Sequence, residues 1–345
     1  MRILYVGRSD GSGLKSYLKR QKRQLSFGEQ DGFFEASLFS AGEVVETTIG
    51  NCERELKRGS FDAVVVNLKC GGFSSEDMRD EFFIKTFGAL NIPTALFIGS
   101  AKAEQMVEDR VADAFDVIFK REPYKDKARY SLSTSNQQKI IATMISCPFV
   151  TLPRDTWLSR LYVTLHPTVN VCEIAEAKAD VGFSGADASS HSLRRDAWAR
   201  VKKESFSTIG GLQKNPYLDT GLSPELLGPR FSGHDYRDSL CQARINLALP
   251  GIGAYTFRHQ ELLYLGAFML SHSSIGELEL PMPLKAGEHY VSFATIDEMV
   301  DKIRYYLAHE DERQKIAGGG KQLFDEYYNP KRHGATLLSA LKGVG

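Results

Sequence analysis

Asn246-Leu247-Ala248-Leu249-Pro250-Gly251-Ile252-Gly253-Ala254-Tyr255-Thr256-Phe257-Arg258-His259-Gln260-Glu261-Leu262-Leu263-Tyr264-Leu265-Gly266-Ala267 carries an apolar strand into a glycine-containing loop and then into a helix that stops at a glycine. Glycines let a backbone approach a phosphate closely, and a helix N-terminus presents unpaired N–H groups and a partial positive charge. Arg258 adds a permanent charge and a planar fork suited to two phosphate oxygens. Glu261, one turn on, can accept hydrogen bonds from a ribose diol. A loop and first turn of this kind, with Gly251, Gly253, Tyr255, Thr256, Phe257, Arg258 and Glu261 as contact candidates, suits a nucleoside diphosphate. The plainer alternative is an i,i+3 surface ion pair between Arg258 and Glu261.

Outward from this stretch the chain alternates strand and helix. Ala179 to Gly185, Glu204 to Ile209 (ending in Gly210-Gly211), Ile245 to Leu249, Ala267 to Ser271 and Val291 to Phe293 read as strands. Ser192 to Lys203, Asp235 to Ala243, Phe257 to Leu265 and Ile296 to Leu307 read as helices. The first half opens with a strand over residues 2–7, a loop Arg8-Ser9-Asp10-Gly11-Ser12-Gly13, and a basic amphipathic helix from Leu14 to Leu25. Apolar runs follow at Phe61 to Leu68, Ile92 to Ile98 and Ala114 to Lys120, with a helical stretch near 101–112. Alternation of this kind implies βαβ units and doubly wound parallel sheets. The chain has 345 residues, which at ~150 residues per domain gives two domains. Pro148, Pro153 and Pro167 punctuate the junction, and the boundaries expected are 1–165 and 166–330, with 331–345 a closing helix packed back on the first domain.

Composition narrows the function classes. Lys plus Arg equals Asp plus Glu at 43 each, so no net field draws the chain to nucleic acid or an acidic membrane face. Hydrophobic residues make up 42% and charged residues 25%, as in ordinary folded proteins. No stretch approaches the ~18 apolar residues of a membrane helix, and the expected location is cytoplasmic. The five cysteines are scattered without a metal-binding spacing, so reduced core thiols are expected and no metal site.

Arg258, then Glu261 three residues later, then Gly266, resembles the donor-site signature of glycosyltransferase B (GT-B) enzymes, especially the CgeB-like spore-maturation group and group 1 glycosyl transferases, and more distantly the exostosin domain. The resemblance covers roughly residues 180–340. It implies two tandem Rossmann-like domains facing a cleft, with a nucleotide-sugar donor held by the second and a sugar, glycan or other hydroxyl acceptor by the first. It further implies that Glu261 binds the ribose, that Arg258 lies near the diphosphate, and that no cofactor or metal is needed. UDP is the expected nucleotide.

Weaker candidates complete the set. Gly11 and Gly13 follow the first strand and are candidates for the donor phosphates, although the Gly-x-Gly-x-x-Gly dinucleotide spacing is absent. Asp10 is the carboxylate in this loop suited to general-base work, with helix capping as the alternative. Gly211 is a donor-approach candidate or a turn, Tyr236 a base-stacking or core aromatic, and His166 and His191 cleft-facing or structural. Two other classes stay open: a nucleotide-sugar-binding scaffold without catalysis, and a nicotinamide-dependent oxidoreductase.

Overall fold

The computed structural model describes residues 1–8, 25–27, 29–165, 177–187, 192–214 and 221–344. Contacts divide the chain into two compact units, the first comprising Met1–Thr168, Glu279–Pro281 and Asn329–Gly345, the second Val169–Leu278 and Met282–Tyr328.

The first unit contains β1 (Arg2–Val6), β2 (Ser26–Phe27), β3 (Glu43–Thr47), β4 (Ala63–Asn67), β5 (Thr94–Ile98), β6 (Val117–Arg121), β7 (Ile140–Thr143) and β8 (Leu152–Pro153). Six of these form a parallel sheet in the order β3-β1-β4-β5-β6-β7, and β2 pairs with β8 separately. Every residue of β4, β5 and β6 is buried, because helices cover both faces of a parallel sheet and leave no side for polar alternation. One face packs Phe34 from helix α1 (Gly32–Ala41), with Leu337 and Leu341 from the closing helix Pro330–Lys342. The closing helix belongs to this unit: Ser40 Oγ donates to the Pro330 carbonyl at 3.0 Å, and His333 Nε2 lies 3.1 Å from Thr143 Oγ1.

The second unit contains β9 (Ala179–Ala186), β10 (Thr208–Gln213), β11 (Ala243–Ala248), β12 (Met269–His272) and β13 (Val291–Phe293), all parallel in the order β10-β9-β11-β12-β13. The helices α2 (Leu193–Lys203), α3 (Gly233–Cys241), α4 (Phe257–Leu265), α5 (Ile296–Ala308) and α6 (Glu310–Tyr327) alternate with and follow these strands. Trp198, Val201, Met299, Val300 and Ile303 fill one side of the sheet against Val181, Ile245 and Leu247.

Several expectations are corrected. Residues 101–112 contain only a short helix, Asp109–Ala112. The polar stretch 124–147, to which the sequence assigns no element, supplies the edge strand β7. The strand expected to stop at Gly210 runs through both glycines, whose positive φ angles of 90° and 145° let β10 cross close to its neighbours. A Cβ on Gly211 would lie 2.5 Å from the Gly228 nitrogen, so the chain itself fills the space beside it. Cys52, Cys70 and Cys147 are buried thiols outside any disulfide, whereas Cys241 is disulfide-bonded, contrary to uniformly reduced thiols. No described helix is long and apolar enough to cross a membrane.

Candidate functional site

In the second unit the chain leaves β9 toward β10 on one side, while β11 lies on the other. Such a reversal opens a crevice at the carboxyl ends of the two strands, the usual ligand position in open α/β sheets. Arg194, in the first turn of α2, spans this point. Its Nη1 donates to Ala186 O at 2.8 Å, at the last residue of β9, and its Nε and Nη2 donate to Pro250 O at 2.7 Å and Leu249 O at 3.2 Å, just beyond β11. Burial, with the like charge of Arg258 adding, pushes its pKa down to about 10. A Cβ on Gly251 would lie 2.6 Å from Arg194 Nη2, which explains glycine at that position.

The loop after β11 delivers the chain to α4, whose N-cap is Thr256 and whose C-cap, Gly266, is left-handed at φ 67°. Arg258 is 8% exposed and Glu261 4%, so the pair is buried and not the surface ion pair held open above. Arg258 Nε lies 3.4 Å from Glu261 Oε2, and Arg258 Nη2 donates to Ser184 O on β9 at 2.5 Å. The guanidinium carbon stands 5.1 Å from the Tyr236 ring centre, and the Tyr236 hydroxyl donates to Glu261 Oε2 at 2.6 Å. Burial raises the Glu261 carboxyl above its ordinary range, against the downward pulls of Arg258 and the Tyr236 hydrogen bond. Arg258 Nη1 is buried without a hydrogen-bond partner. Such a group carries a desolvation cost of ~1–3 kcal/mol or more, which an anionic ligand relieves.

Of the residues singled out from sequence, Tyr236, Gly251, Thr256, Phe257, Arg258 and Glu261 therefore belong to this crevice or to the helix start beside it. Gly253 closes the loop, its carbonyl accepting from Gly251 N at 2.9 Å. Tyr255 is only 2% exposed and stacks on His259 with ring centres 4.7 Å apart, so it packs the loop from beneath. Gly211 faces Gly228, as above. Asp10, Gly11, Gly13, His166, His191 and most of the basic first helix lie outside the described residues. Arg194 was missed because its segment, Ser192 to Lys203, read simply as a helix; its place in the first turn after β9 was the available signal.

The carboxyl edge of the first unit's sheet holds a second group of buried charges. Asp31 Oδ2 is 3.6 Å from Lys69 Nζ, and Asp31 Oδ1 is 3.6 Å from Arg121 Nη1. Arg121 Nε donates to Glu122 Oε2 at 3.1 Å, and Glu122 Oε1 accepts from Ile145 N at 2.5 Å. Lys120 Nζ donates to three carbonyls, those of Ser100, Lys102 and Arg121. Burial lowers Lys120 and raises Glu122. None of these was legible beforehand, since the run ending at Lys120 reads as an apolar strand. Among the described residues no three His, Cys, Asp or Glu side chains are grouped to hold a metal ion.

Comparison with known proteins bears on the family and the fold. Residues 194–339 match the glycosyl transferase-like family. The matched segment begins at Arg194 and includes Arg258 and Glu261. No curated protein matches the chain. Among solved structures, the chain is similar to Anabaena HepE in complex with UDP and glucose, at 10% identity and a TM-score of 0.55 over 99% of this chain and 100% of that one. It is also similar to sucrose-phosphate synthase from Thermosynechococcus elongatus, at 9% identity and 0.54 over 99% and 98%. A third is the DNA-modifying β-glucosyltransferase, at 10% identity and 0.53 over 99% and 100%. Likeness at these identities establishes the fold: the chain has the two-domain GT-B glycosyltransferase fold, and its glycosyl transferase-like segment takes in most of the second unit and runs on into the closing helix.

Proposed function

We propose that the protein transfers a sugar from a nucleoside-diphosphate donor, with UDP as the nucleotide, to a hydroxyl of a sugar, glycan or other acceptor in the cytoplasm. The observation that carries the reading is the buried Arg258, one guanidinium nitrogen unpartnered, beside Glu261 at the carboxyl end of β11. On this reading Arg258, Arg194 and the amides at the start of α4 receive the diphosphate, and Glu261 receives the ribose. As the bond from the sugar's anomeric carbon to the diphosphate breaks, these donors meet the developing charge; a single preorganised donor to a developing oxyanion in a serine protease is worth roughly 2.7–4 kcal/mol. The first unit takes the acceptor, and Asp10 is the general base that removes its proton. The arginines supply the positive charge, so no metal is required.

A UDP complex of HepE and a UDP and Mn2+ complex of T4 phage BGT, a further structure of similar fold, support the choice of nucleotide and define the metal test. A thermal-shift screen against UDP, GDP, ADP, CMP and NAD decides the ligand class, because a ligand that binds only the folded state raises its melting temperature. A shift with UDP supports the reading. A shift with NAD alone, or with none, overturns it. Chelator in the transfer assay leaves activity unchanged if the metal-independent reading is right.

A further inference from the structure

A donor diphosphate can meet the first amides of α4 only if the loop between β11 and that helix is held in one shape. The helix uses an N-terminal capping box in which the third residue is His259. The usual residue there is Glu or Gln, whose side chain reaches back to the N-cap amide and ends there. An imidazole has a second nitrogen on its far side. His259 Nδ1 accepts from Thr256 N at 3.0 Å and lies 3.2 Å from Thr256 Oγ1. Because Nδ1 accepts from an amide, the ring proton is on Nε2. Nε2 stands 2.9 Å from Ser271 Oγ on β12, to which it donates, and Ser271 Oγ donates to Ala248 O at 2.9 Å, the last residue of β11.

We propose that His259 is a positioning residue for the donor diphosphate, joining the N-cap of α4 through Ser271 to the ends of β11 and β12. The proposal rests on the glycosyltransferase reading of the crevice. Every link is inside the protein: His259 and Ser271 are both 0% exposed, and the ring is packed under Tyr255. His259 therefore acts on the ligand only through its neighbours, chiefly the Thr256 amide and the orientation of Arg258, the preceding residue. Burial, followed by the charges of Arg194 and Arg258, also keeps the ring neutral, with a pKa pushed down to about 3. The chain of donors keeps one direction throughout the ordinary pH range.

The experiment compares UDP with uridine by calorimetry in wild type, His259→Gln and Ser271→Ala, each checked for its melting temperature. Gln preserves the helix cap and cuts the tie to Ser271; Ser271→Ala cuts the same tie and leaves the histidine. Both variants are expected to bind UDP about tenfold more weakly, as for one lost hydrogen bond, with uridine binding unchanged. UDP affinity equal to wild type in both variants means that His259 is a helix cap and nothing more, which overturns the proposal. Equal losses for UDP and uridine also overturn it, since they mark a general loosening. A wild-type protein that binds neither probe removes the donor reading itself, an outcome distinct from failure of the tie.

Discussion

Replacing Glu261 by Gln and Arg258 by Met separates the two halves of the proposed donor site. Glu261 Oε2 is already engaged by the Tyr236 hydroxyl at 2.6 Å, which leaves the other carboxylate oxygen for the ribose. A hydrogen bond to a charged group contributes ~1.5–3 kcal/mol, so losing the charge at this acceptor weakens binding by roughly 10- to 150-fold. The loss falls equally on uridine and UDP, since both carry the diol. Arg258→Met removes a guanidinium whose Nη1 has no hydrogen-bond partner in the protein. UDP, with the diphosphate that nitrogen would meet, is expected to lose about as much again beyond what uridine loses, uridine being weakened only through the Arg258–Glu261 ion pair that the substitution also breaks. Calorimetric titration of both variants with both ligands, at one ionic strength, reads the four affinities. A Met variant that weakens uridine and UDP alike, or a Gln variant that leaves uridine untouched, refutes the assignment of the two residues to diphosphate and ribose.

Burial raises the Glu261 carboxyl, so UDP affinity is expected to fall as pH drops through that raised value, because only the ionised form accepts both hydrogen bonds. Tyr236→Phe removes a hydrogen bond that pulls the carboxyl down, and a titration series should place the midpoint of this pH dependence higher in the variant. Gly251→Ala puts a methyl 2.6 Å from Arg194 Nη2 and is expected to lower the melting temperature and UDP affinity together, whereas a full-affinity variant would show that Arg194 is free to move. In the first unit, burial depresses His333 to about 4 from 6.5. Its contribution to stability is complete above the ordinary value and is lost as pH falls from 6.5 toward 4, because the unfolded chain takes the proton first; chemical denaturation across that window should show a shallower slope in His333→Gln.

The alternation of strands and helices in the second unit was legible because each strand there ends at a turn residue or a helix start. Phe257 to Leu265 and Val291 to Phe293 stand where the sequence placed them. The region between residues 124 and 147 was opaque for a physical reason: β7 is an edge strand of four residues entered from a short helix, Thr134–Gln138, and four residues carry too little periodicity to separate strand from loop. The buried charges at the end of β6 were hidden by the same effect in reverse. A parallel strand is buried on both faces, so Lys120 and Arg121 look like the polar end of an apolar run until the fold shows that carbonyls and carboxylates surround them.

The crevice itself shows why a motif and its site are different amounts of information. Arg258 and Glu261 are three residues apart, and sequence alone leaves them equally suited to a solvent-facing ion pair or to a ligand site. What separates the two is burial, and burial is decided by residues far away in the chain: Ser184 on β9 takes Arg258 Nη2, Tyr236 on α3 covers the pair, and Arg194 on α2 fixes the loop that leads to it. A buried arginine and glutamate are expensive to keep for stability alone, since replacing such a pair by apolar residues is often neutral or stabilising. Here the guanidinium is also left with an unpartnered nitrogen, so the arrangement is not the one that would best stabilise an isolated domain. Its form is accounted for if the missing partner is an anion that arrives and leaves, and the UDP and uridine titrations above measure that account.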